Sequence, residues 1–213
     1  MNIAMIYMAS GFGRRFGANK LLAPFQGTPL YLHGLKRLLE AAGELESAGE
    51  PDASKAPPPA TPIHVQVLVV TQYTEILQSA AALGVKAVYN PDSIQGITAS
   101  LKLGTRQAGE NTDLYLYFVA DEPYITAGTI VRFVRGFLES GKGMGCVKSG
   151  DRPASPSIFR KTYRKALLSL EGDRGGRQLM KANPEDVWMM EAPARELMDI
   201  DVPGDFTSDK NGK

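Results

Sequence analysis

The N-terminal segment joins an apolar strand directly to a glycine-rich basic loop, and this junction constrains the fold more than any other stretch of the chain. Residues 3–8 form a short, continuous apolar run, which is typical of a buried strand. The polar, glycine and basic residues that follow this run are Ser10, Gly11, Phe12, Gly13, Arg14, Arg15, Gly17 and Lys20. Glycine permits backbone conformations in which several amide N–H groups converge on an anion, and the basic side chains would surround that anion. The segment therefore predicts a phosphate-binding loop.

Two well-known phosphate-binding loops do not match this segment. A Walker P-loop needs Lys-Ser or Lys-Thr directly after its last glycine, whereas Gly17 is followed by Ala18-Asn19-Lys20. The dinucleotide fingerprint would place its third glycine at Phe16 and needs an acidic residue about 20 residues further on. The pattern that remains is small-small-Gly-x-x-x-Arg-x-Gly-x-x-Lys, from Ala9 to Lys20. The alternative interpretation is a tight strand-to-helix turn with solvated basic residues.

Composition favours one globular α/β domain and excludes several classes of partner. The chain has 213 residues, of which 43% are hydrophobic and 22% charged, and its net charge is +1. This balance argues against bulk electrostatic binding of nucleic acid or of a membrane surface. The single cysteine, Cys146, cannot form an intrachain disulfide, so we expect a cytoplasmic protein without a signal peptide. We expect one domain over residues 1–206, a flexible insertion at 44–62 and a disordered tail at 207–213.

Predicted strands and helices alternate along the chain. After the first strand we expect strands at 64–71, 85–89, 114–120, 143–148 and 187–191, and a short extended segment at 156–159. We expect helices at 28–43, 74–83, 97–108, 126–138 and 161–170, and another that opens after 172–177. This alternation predicts a three-layer α/β/α sandwich with a mainly parallel, Rossmann-like sheet.

Two aspartates occupy similar positions far apart in the chain. Asp121 and Asp201 each follow an apolar segment, and each precedes a proline by two residues. Carboxylates just past the C-terminal ends of strands lie where open α/β sheets carry out their chemistry, and oxygen ligands suit Mg²⁺ or Mn²⁺. Both aspartates could instead be ordinary turn residues before proline. Together with the phosphate loop, they predict metal-assisted nucleotidyl transfer.

The loop ASGFGRRFGANK resembles the signature loop of the MobA-like nucleotidyltransferases, whose usual form is L-A-A-G-x-x-x-R-x-G-x-x-K. Further similar segments follow in the same order, namely NPDSIQGITASLKLG, ADEPYIT, GDRGGRQLM and DIDVPGDF. This set is most similar to the molybdenum cofactor cytidylyltransferase branch. The resemblance implies a nucleotide-diphospho-sugar transferase-like fold and Mg²⁺- or Mn²⁺-dependent transfer of CMP from CTP to molybdopterin, with release of pyrophosphate. It also implies a molybdenum hydroxylase as the partner that receives the cofactor.

The resemblance also implies roles for particular residues. The implied nucleotide-binding residues are Ala9, Ser10, Gly11, Gly13, Arg15, Lys20, Asn90, Gly96, Ser100 and Asp121. The implied catalytic residues are Arg15, Lys20, Asp121 and Asp201, of which Asp121 and Asp201 would also be the metal ligands. The implied acceptor-binding residues are Asp173, Arg174 and Arg177.

The chain departs from the family pattern at three places, and alternatives stay open. Ser10 replaces an alanine, Ser93 or Ile94 stands where tryptophan is common, and Ala154-Ser155-Pro156 replaces Gly-His-Pro. With GTP or another nucleotide as donor, the chain would be a guanylyltransferase or a sugar-phosphate nucleotidyltransferase. A non-catalytic chaperone that delivers finished cofactor to a molybdenum hydroxylase is another alternative. An NADP-dependent oxidoreductase is disfavoured by the missing third glycine.

Overall fold

The computed structural model describes residues 1–11, 19–47 and 62–201. The strands are Asn2–Ala9 (β1), Pro24–Phe25 (β2), Thr28–Pro29 (β3), His64–Thr71 (β4), Lys86–Tyr89 (β5), Leu114–Val119 (β6), Met144–Ser149 (β7), Arg152–Arg160 (β8) and Val187–Glu191 (β9). The helices are Leu30–Ser47 (α1), Thr74–Ala82 (α2), Ile97–Ala108 (α3), Ala127–Ser140 (α4), Arg164–Leu168 (α5) and Arg177–Ala182 (α6). Short 3₁₀ turns cover Ser93–Gln95, Lys161–Tyr163, Pro184–Asp186 and Ala194–Leu197.

Seven of the strands form one sheet, in the order β5-β4-β1-β6-β8-β7-β9. Strand β1 pairs in parallel with β4 and β6, and β4 pairs in parallel with β5. Strand β9 is parallel to β7, and only β8 runs antiparallel to its neighbours β6 and β7. Since β1, β4 and β6 are parallel, their C-terminal ends meet at the same edge of the sheet. The predicted position of β1 inside a mainly parallel sheet is therefore confirmed.

Helices cover both faces of the sheet, and each face has its own apolar core. Strand β1 alternates between them, because successive side chains of a strand point to opposite faces. Ile3, Met5 and Tyr7 pack in the core under α1, α2 and α4, whereas Ala4, Ile6 and Met8 pack in the core under α3, α5 and α6. This arrangement is the predicted three-layer α/β/α sandwich, and the fold class is confirmed.

Strand β8 is longer than predicted, since it covers Arg152–Arg160 rather than 156–159. Its prolines, Pro153 and Pro156, weakened the strand pattern because proline cannot donate to a sheet ladder. Only Ser157–Arg160 pairs with β6, so both prolines lie in the part of β8 that has a single partner strand. A β-bulge in this part of β8 further relaxes the pairing, since Cys146 pairs with Ser157 and Val147 with Ala154, which leaves Ser155 and Pro156 out of register.

Helix α1 also differs from the prediction, because it continues past Gly43 to Ser47. Leu45 extends the apolar face of the helix and is buried in the core, so packing outweighs the helix-stop preference of glycine. The predicted insertion at 44–62 is therefore wrong for its first four residues, which are helical. Positions 48–61, like the predicted tail at 207–213, lie outside the described residues.

Several other boundaries test the predictions directly. Helix α3 coincides with the predicted range of 97–108, and Thr126 caps α4 as expected, since its Oγ1 accepts a hydrogen bond of 3.2 Å from the Thr129 N–H. The segment predicted to start a helix at Thr28 instead forms the small β2–β3 hairpin, and α1 begins at Leu30. The predicted helix at 161–170 is divided into a 3₁₀ turn and the short α5. None of the helices in the described part of the chain is long and apolar enough to cross a membrane.

Candidate active site

Two adjoining clefts open at the sheet edge where β1, β4 and β6 end. The small cleft has a volume of about 450 Å³, and the large cleft has a volume of about 830 Å³. The residues that line both clefts are Met8, Ile97, Val119 and Asp173. Open α/β sheets bind ligands at this edge, so the paired clefts are the natural candidate for a two-substrate site.

The turn after β1 is held by three consecutive side chains from the end of β4. Thr71 donates a hydrogen bond of 2.7 Å to the Ala9 carbonyl. Gln72 donates one of 2.7 Å to the Ser10 carbonyl, and Tyr73 donates one of 2.8 Å to the Gly11 carbonyl. Because C=O and N–H point in opposite directions across a trans peptide, the amides of Ser10 and Gly11 point away from β4. Ser10 and Gly11 line the small cleft, so these amides are available to an anion bound there.

Lys20 brings the two predicted metal-binding aspartates together. Its Nζ donates a hydrogen bond of 2.9 Å to Asp121 Oδ2, and another of 2.9 Å to Asp201 Oδ1. A third bond, of 2.8 Å, goes to the carbonyl oxygen of Ile200. The C-terminal segment reaches this position because the Ile200 side chain is buried and its N–H donates a 2.9 Å hydrogen bond to the Asp121 carbonyl. Two aspartates that are 80 positions apart in the sequence therefore share one cation.

The Lys20 ammonium is both buried and charged. Only 7% of its side chain is exposed, against 27% for Asp121 and 43% for Asp201. Burial by itself would lower the pKa of Lys20, but the Asp121 and Asp201 carboxylates outweigh burial and raise the pKa above its usual value. Lys20 is therefore a fixed positive charge beside the small cleft, which it lines. A buried lysine with this geometry can neutralise the phosphates of a nucleotide.

The same cluster fits a hard divalent cation. Three oxygen atoms, two from carboxylates and one from a backbone carbonyl, already surround one cationic nitrogen. Within the described ranges, no group of three or more His, Cys, Asp or Glu side chains could hold a metal ion. Mg²⁺ does not need such a group, because it is commonly held by one or two carboxylates, with waters and substrate phosphates as its other ligands. Asp121 and Asp201 are therefore suitable as the protein ligands of such an ion.

Asn90 and Ser100, both predicted to bind the nucleotide, form a buried pair behind the small cleft. The Asn90 side-chain amide donates a hydrogen bond of 2.9 Å to Ser100 Oγ, and only 1% of Asn90 is exposed. Ser100 lines the small cleft, whereas Asn90 does not. In this structure Asn90 therefore supports Ser100 and does not itself reach the cleft.

Asp173 attaches the loop before α6 to the N-terminus of α3. Its Oδ1 accepts a hydrogen bond of 2.6 Å from the Ile97 N–H, and the Gly175 N–H donates one of 3.1 Å to Thr98 Oγ1. A carboxylate at a helix N-terminus is also favoured by the helix dipole. Asp173 lies so close to Gly96 that a Cβ at position 96 would overlap its carboxylate. Gly96 is thus required by the docked aspartate, a reason that the sequence pattern alone does not reveal.

We expect Gly96→Ala to destabilise the protein more than Gly109→Ala. The two glycines flank α3 and have nearly the same backbone, with φ of +91° and +87°, but a Cβ at Gly109 would meet no atom within 4 Å. Gly109→Ala therefore reports the backbone cost alone, about 1–3 kcal/mol. Gly96→Ala should cost about 1 kcal/mol more, because it also breaks the bond between Asp173 and the Ile97 amide.

The measurement is denaturant unfolding of both variants, alone and in an Asp173→Ala background. The extra cost of Gly96→Ala should disappear once the Asp173 carboxylate is absent. Equal costs for the two glycine variants in the wild-type background would contradict the docking role of Asp173.

The large cleft contains the other two residues predicted to bind the acceptor. Arg174 and Arg177 both line it and are exposed, and Arg177 Nη2 donates a hydrogen bond of 3.1 Å to the Pro153 carbonyl. Neither arginine lines the small cleft. Glu122 also lines the large cleft, and burial together with the neighbouring Asp121 charge raises its pKa well above the ordinary value. Glu122 was not predicted from the sequence, nor were the three residues that hold the turn after β1.

The structure brings most of the predicted site residues to one edge of the sheet and divides them between the clefts. The predicted residues that line the small cleft are Ser10, Gly11, Lys20, Gly96, Ser100, Asp121 and Asp173. Ala9 is fully buried, and Asp201 is joined to the cleft through Lys20. Gly13 and Arg15 lie outside the described residues, so their assignments stay predictions.

The fold is of the Rossmann-like α/β class, with the candidate site at the sheet edge where such folds bind ligands. Residues 5–187 match the MobA-like NTP transferase domain, and the chain therefore belongs to the MobA-like NTP transferase family. The resemblance of the loop ASGFGRRFGANK and of the segments up to GDRGGRQLM to this family is confirmed, whereas DIDVPGDF lies beyond the matched residues. No curated protein matches the chain at a significant level.

Solved structures with the same fold cover almost the whole chain. Rv0371c from Mycobacterium tuberculosis H37Rv superposes with a TM-score of 0.74 at 20% identity, over 96% of this chain and 95% of that one. The same protein in complex with manganese gives a TM-score of 0.63 at 17% identity, over 97% of both chains. CMP:2-keto-3-deoxy-manno-octonic acid synthetase complexed with CTP gives 0.70 at 14% identity, over 97% of this chain and 96% of that one. At these identities the comparison extends to the fold.

Proposed function

We propose that this protein transfers CMP from CTP to the terminal phosphate of molybdopterin and releases pyrophosphate, with Mg²⁺ or Mn²⁺ as the metal ion. The observation that carries the proposal is the Lys20 cluster, in which a buried ammonium and the Asp121 and Asp201 carboxylates meet beside the small cleft. The adjoining large cleft supplies room for a second substrate. Asp121 lines the small cleft and the next residue, Glu122, lines the large one, so the two substrates would meet at the end of β6.

In this proposal the small cleft holds the nucleotide. The amides of Ser10 and Gly11 would donate to phosphate oxygens, and the Lys20 ammonium would neutralise phosphate charge. Asn90 would act indirectly, by fixing the orientation of Ser100 through their hydrogen bond. Fixed donors of this kind lower the barrier because they are already oriented when charge develops in the transition state.

The reaction needs little proton transfer. An oxygen of the acceptor phosphate would attack the α-phosphorus of CTP, while the bond from that phosphorus to the bridging oxygen breaks and pyrophosphate leaves with the electron pair. The attacking group is already an anion, so no general base is required, and the barrier comes from alignment and from crowding of negative charge. A bound divalent ion on Asp121 and Asp201 would act as a Lewis acid towards phosphate oxygens. Lys20 would stabilise the same charge from the protein side.

The large cleft would hold the acceptor. Arg174 and Arg177 supply positive charge for a phosphate-bearing substrate, and guanidinium groups suit phosphate through paired N–H donors. The contact between Asp173 and α3 joins the loop that carries these arginines to the wall of the small cleft. A molybdenum hydroxylase is the proposed recipient of the finished cofactor.

The choice of CTP over GTP is supported by two observations. One is Ser10. In the family pattern this position of the loop is usually alanine, and it is typically glycine in guanylyl enzymes. Serine is closer in size to alanine than to glycine. The other is the CTP complex of a structural relative with the same fold. A guanylyltransferase and a sugar-phosphate nucleotidyltransferase are the competing activities.

The decisive experiment measures pyrophosphate release from CTP, GTP, ATP and UTP, with Mg²⁺ or Mn²⁺, in the presence and absence of molybdopterin. We expect release from CTP only when both the metal ion and molybdopterin are present. Release from GTP in preference to CTP would replace the cytidylyl assignment with a guanylyl one. Tight nucleotide binding without any pyrophosphate release would instead favour the cofactor-delivery chaperone.

A further inference from the structure

The large cleft contains a buried carboxylate that the proposed chemistry does not use. Glu122 directly follows Asp121 at the end of β6, and only 9% of it is exposed. Its side chain lines the large cleft and not the small one. Burial and the Asp121 charge both work against its ionised form. A carboxylate in such surroundings is stabilised by hydrogen-bond donors, and a ligand in the cleft can supply them.

The protein itself supplies few donors to this carboxylate. Within the described residues, no hydrogen bond in good geometry and no ion pair within 4.0 Å is found for Glu122, although the Ser155 hydroxyl and the Arg177 charge both act to lower its pKa. Ser155 Oγ is itself buried without a hydrogen-bond partner. Arg177 donates instead to the Pro153 carbonyl. Native proteins rarely leave such polar groups unmatched, so this end of the cleft is suited to a polar ligand.

Apolar side chains form part of the walls of the large cleft. The apolar residues that line the large cleft include Met8, Ile97, Leu101, Tyr117, Val119 and Met180. Most of these side chains are buried, since Leu101 and Tyr117 are each 2% exposed and Met180 is 8% exposed. Apolar walls of this kind suit the faces of a planar ring whose polar edge is directed towards Glu122 and Ser155.

We propose that the Glu122 carboxylate selects the acceptor by accepting two hydrogen bonds from neighbouring N–H groups on the edge of a planar heterocycle. An ionised carboxylate has two acceptor oxygens and no donor, so its best partner is a pair of parallel donors, as in bidentate arginine pairs. A 2-amino-4-oxopyrimidine edge has such a pair in its exocyclic amine and its ring N–H. The inference rests on the proposed function, because it names how the second substrate of that reaction is recognised.

The test compares two free rings that differ in the substituent at position 2. Pterin carries the 2-amino group, whereas lumazine carries a 2-oxo group, so lumazine presents an acceptor beside its ring N–H. We expect the wild-type protein to bind pterin about tenfold more tightly than lumazine, the discrimination typical of a bidentate contact. In Glu122→Gln the preference should reverse, because a carboxamide donates through its NH₂ and accepts through its oxygen, and so matches lumazine. Fluorescence titration of either ring measures the binding.

Glu171→Gln is the matched control, because Glu171 lies in the loop before α6, is exposed and does not line the large cleft. It should keep the wild-type preference for pterin. The proposal is overturned if the wild-type protein binds neither ring, binds both equally, or keeps its preference in Glu122→Gln. The wild-type comparison needs no variant to fold, and it uses neither CTP nor a metal ion. If the protein prefers pterin but releases no pyrophosphate, the proposed transfer reaction is wrong and the proposed Glu122 subsite stands.

Discussion

Replacing Asp121 with asparagine is expected to lower turnover by about 10²–10³, the usual loss when one preorganised charge is removed from an active site. The substitution keeps the shape of the side chain and the oxygen that faces Lys20, but it removes the negative charge that would hold a divalent ion. Among the described residues, the Lys20 ammonium would then retain the Asp201 carboxylate as its charged partner, at 2.9 Å. Pyrophosphate release at saturating CTP and molybdopterin, with Mg²⁺ or Mn²⁺, measures the effect.

Asp113→Asn is the matched control for this prediction, since Asp113 precedes the same strand at its opposite end. Asp113 Oδ2 accepts a hydrogen bond of 2.7 Å from the Asn2 N–H and lines neither cleft. This variant should show a small loss of stability with wild-type turnover. Turnover close to wild type in Asp121→Asn, with the fold intact, would remove Asp121 from the metal site.

The parts of the fold that sequence could predict are those governed by local patterns. The apolar run of β1 and the helical periodicity of α3 each determine an element without help from distant residues, and both were predicted at nearly their observed positions. Strand β8 was not, because its prolines contradict the strand pattern, and they are tolerated because the pairing of β8 with β6 ends at Ser157. The same limit applies to α1, where burial of Leu45 extends the helix beyond Gly43.

The candidate site likewise has features that could be predicted from the sequence and features that could not. Strand-end carboxylates could be predicted from the sequence, because their position after an apolar run is a local property. That Asp121 and Asp201 share Lys20 is a long-range contact, and no local pattern encodes it. The residues that hold the turn after β1 were not predicted, because their contacts with that turn are also long-range. The polar run Thr71-Gln72-Tyr73 directly after the apolar part of β4 was a usable indication. The sequence could not identify Glu122 as a site residue, because only the fold directs its side chain into the large cleft.

Lys20→Met is expected to separate two roles that the sequence motif combines in one residue. Turnover should fall by about 10²–10³, because a buried positive charge beside the nucleotide phosphates is lost. Binding of Mn²⁺ in the absence of nucleotide should instead become tighter, by about tenfold. In the wild-type protein a cation must displace the ammonium from Asp121 and Asp201, whereas in the variant both carboxylates lack this competitor. Titration of Mn²⁺ by electron paramagnetic resonance measures this binding independently of activity.

Lys102→Met provides the matched control, since Lys102 lies on α3, lines neither cleft and donates a hydrogen bond of 3.1 Å to the Leu170 carbonyl. It should change neither turnover nor Mn²⁺ affinity.

Lys20→Met should also unfold more easily without metal, because the two carboxylates then lie near each other without the ammonium between them. Mn²⁺ should restore much of the lost stability by binding the folded state. Unchanged or weaker Mn²⁺ binding in Lys20→Met would mean that Asp121 and Asp201 do not hold the metal ion. In that case the metal ion would have to be held elsewhere.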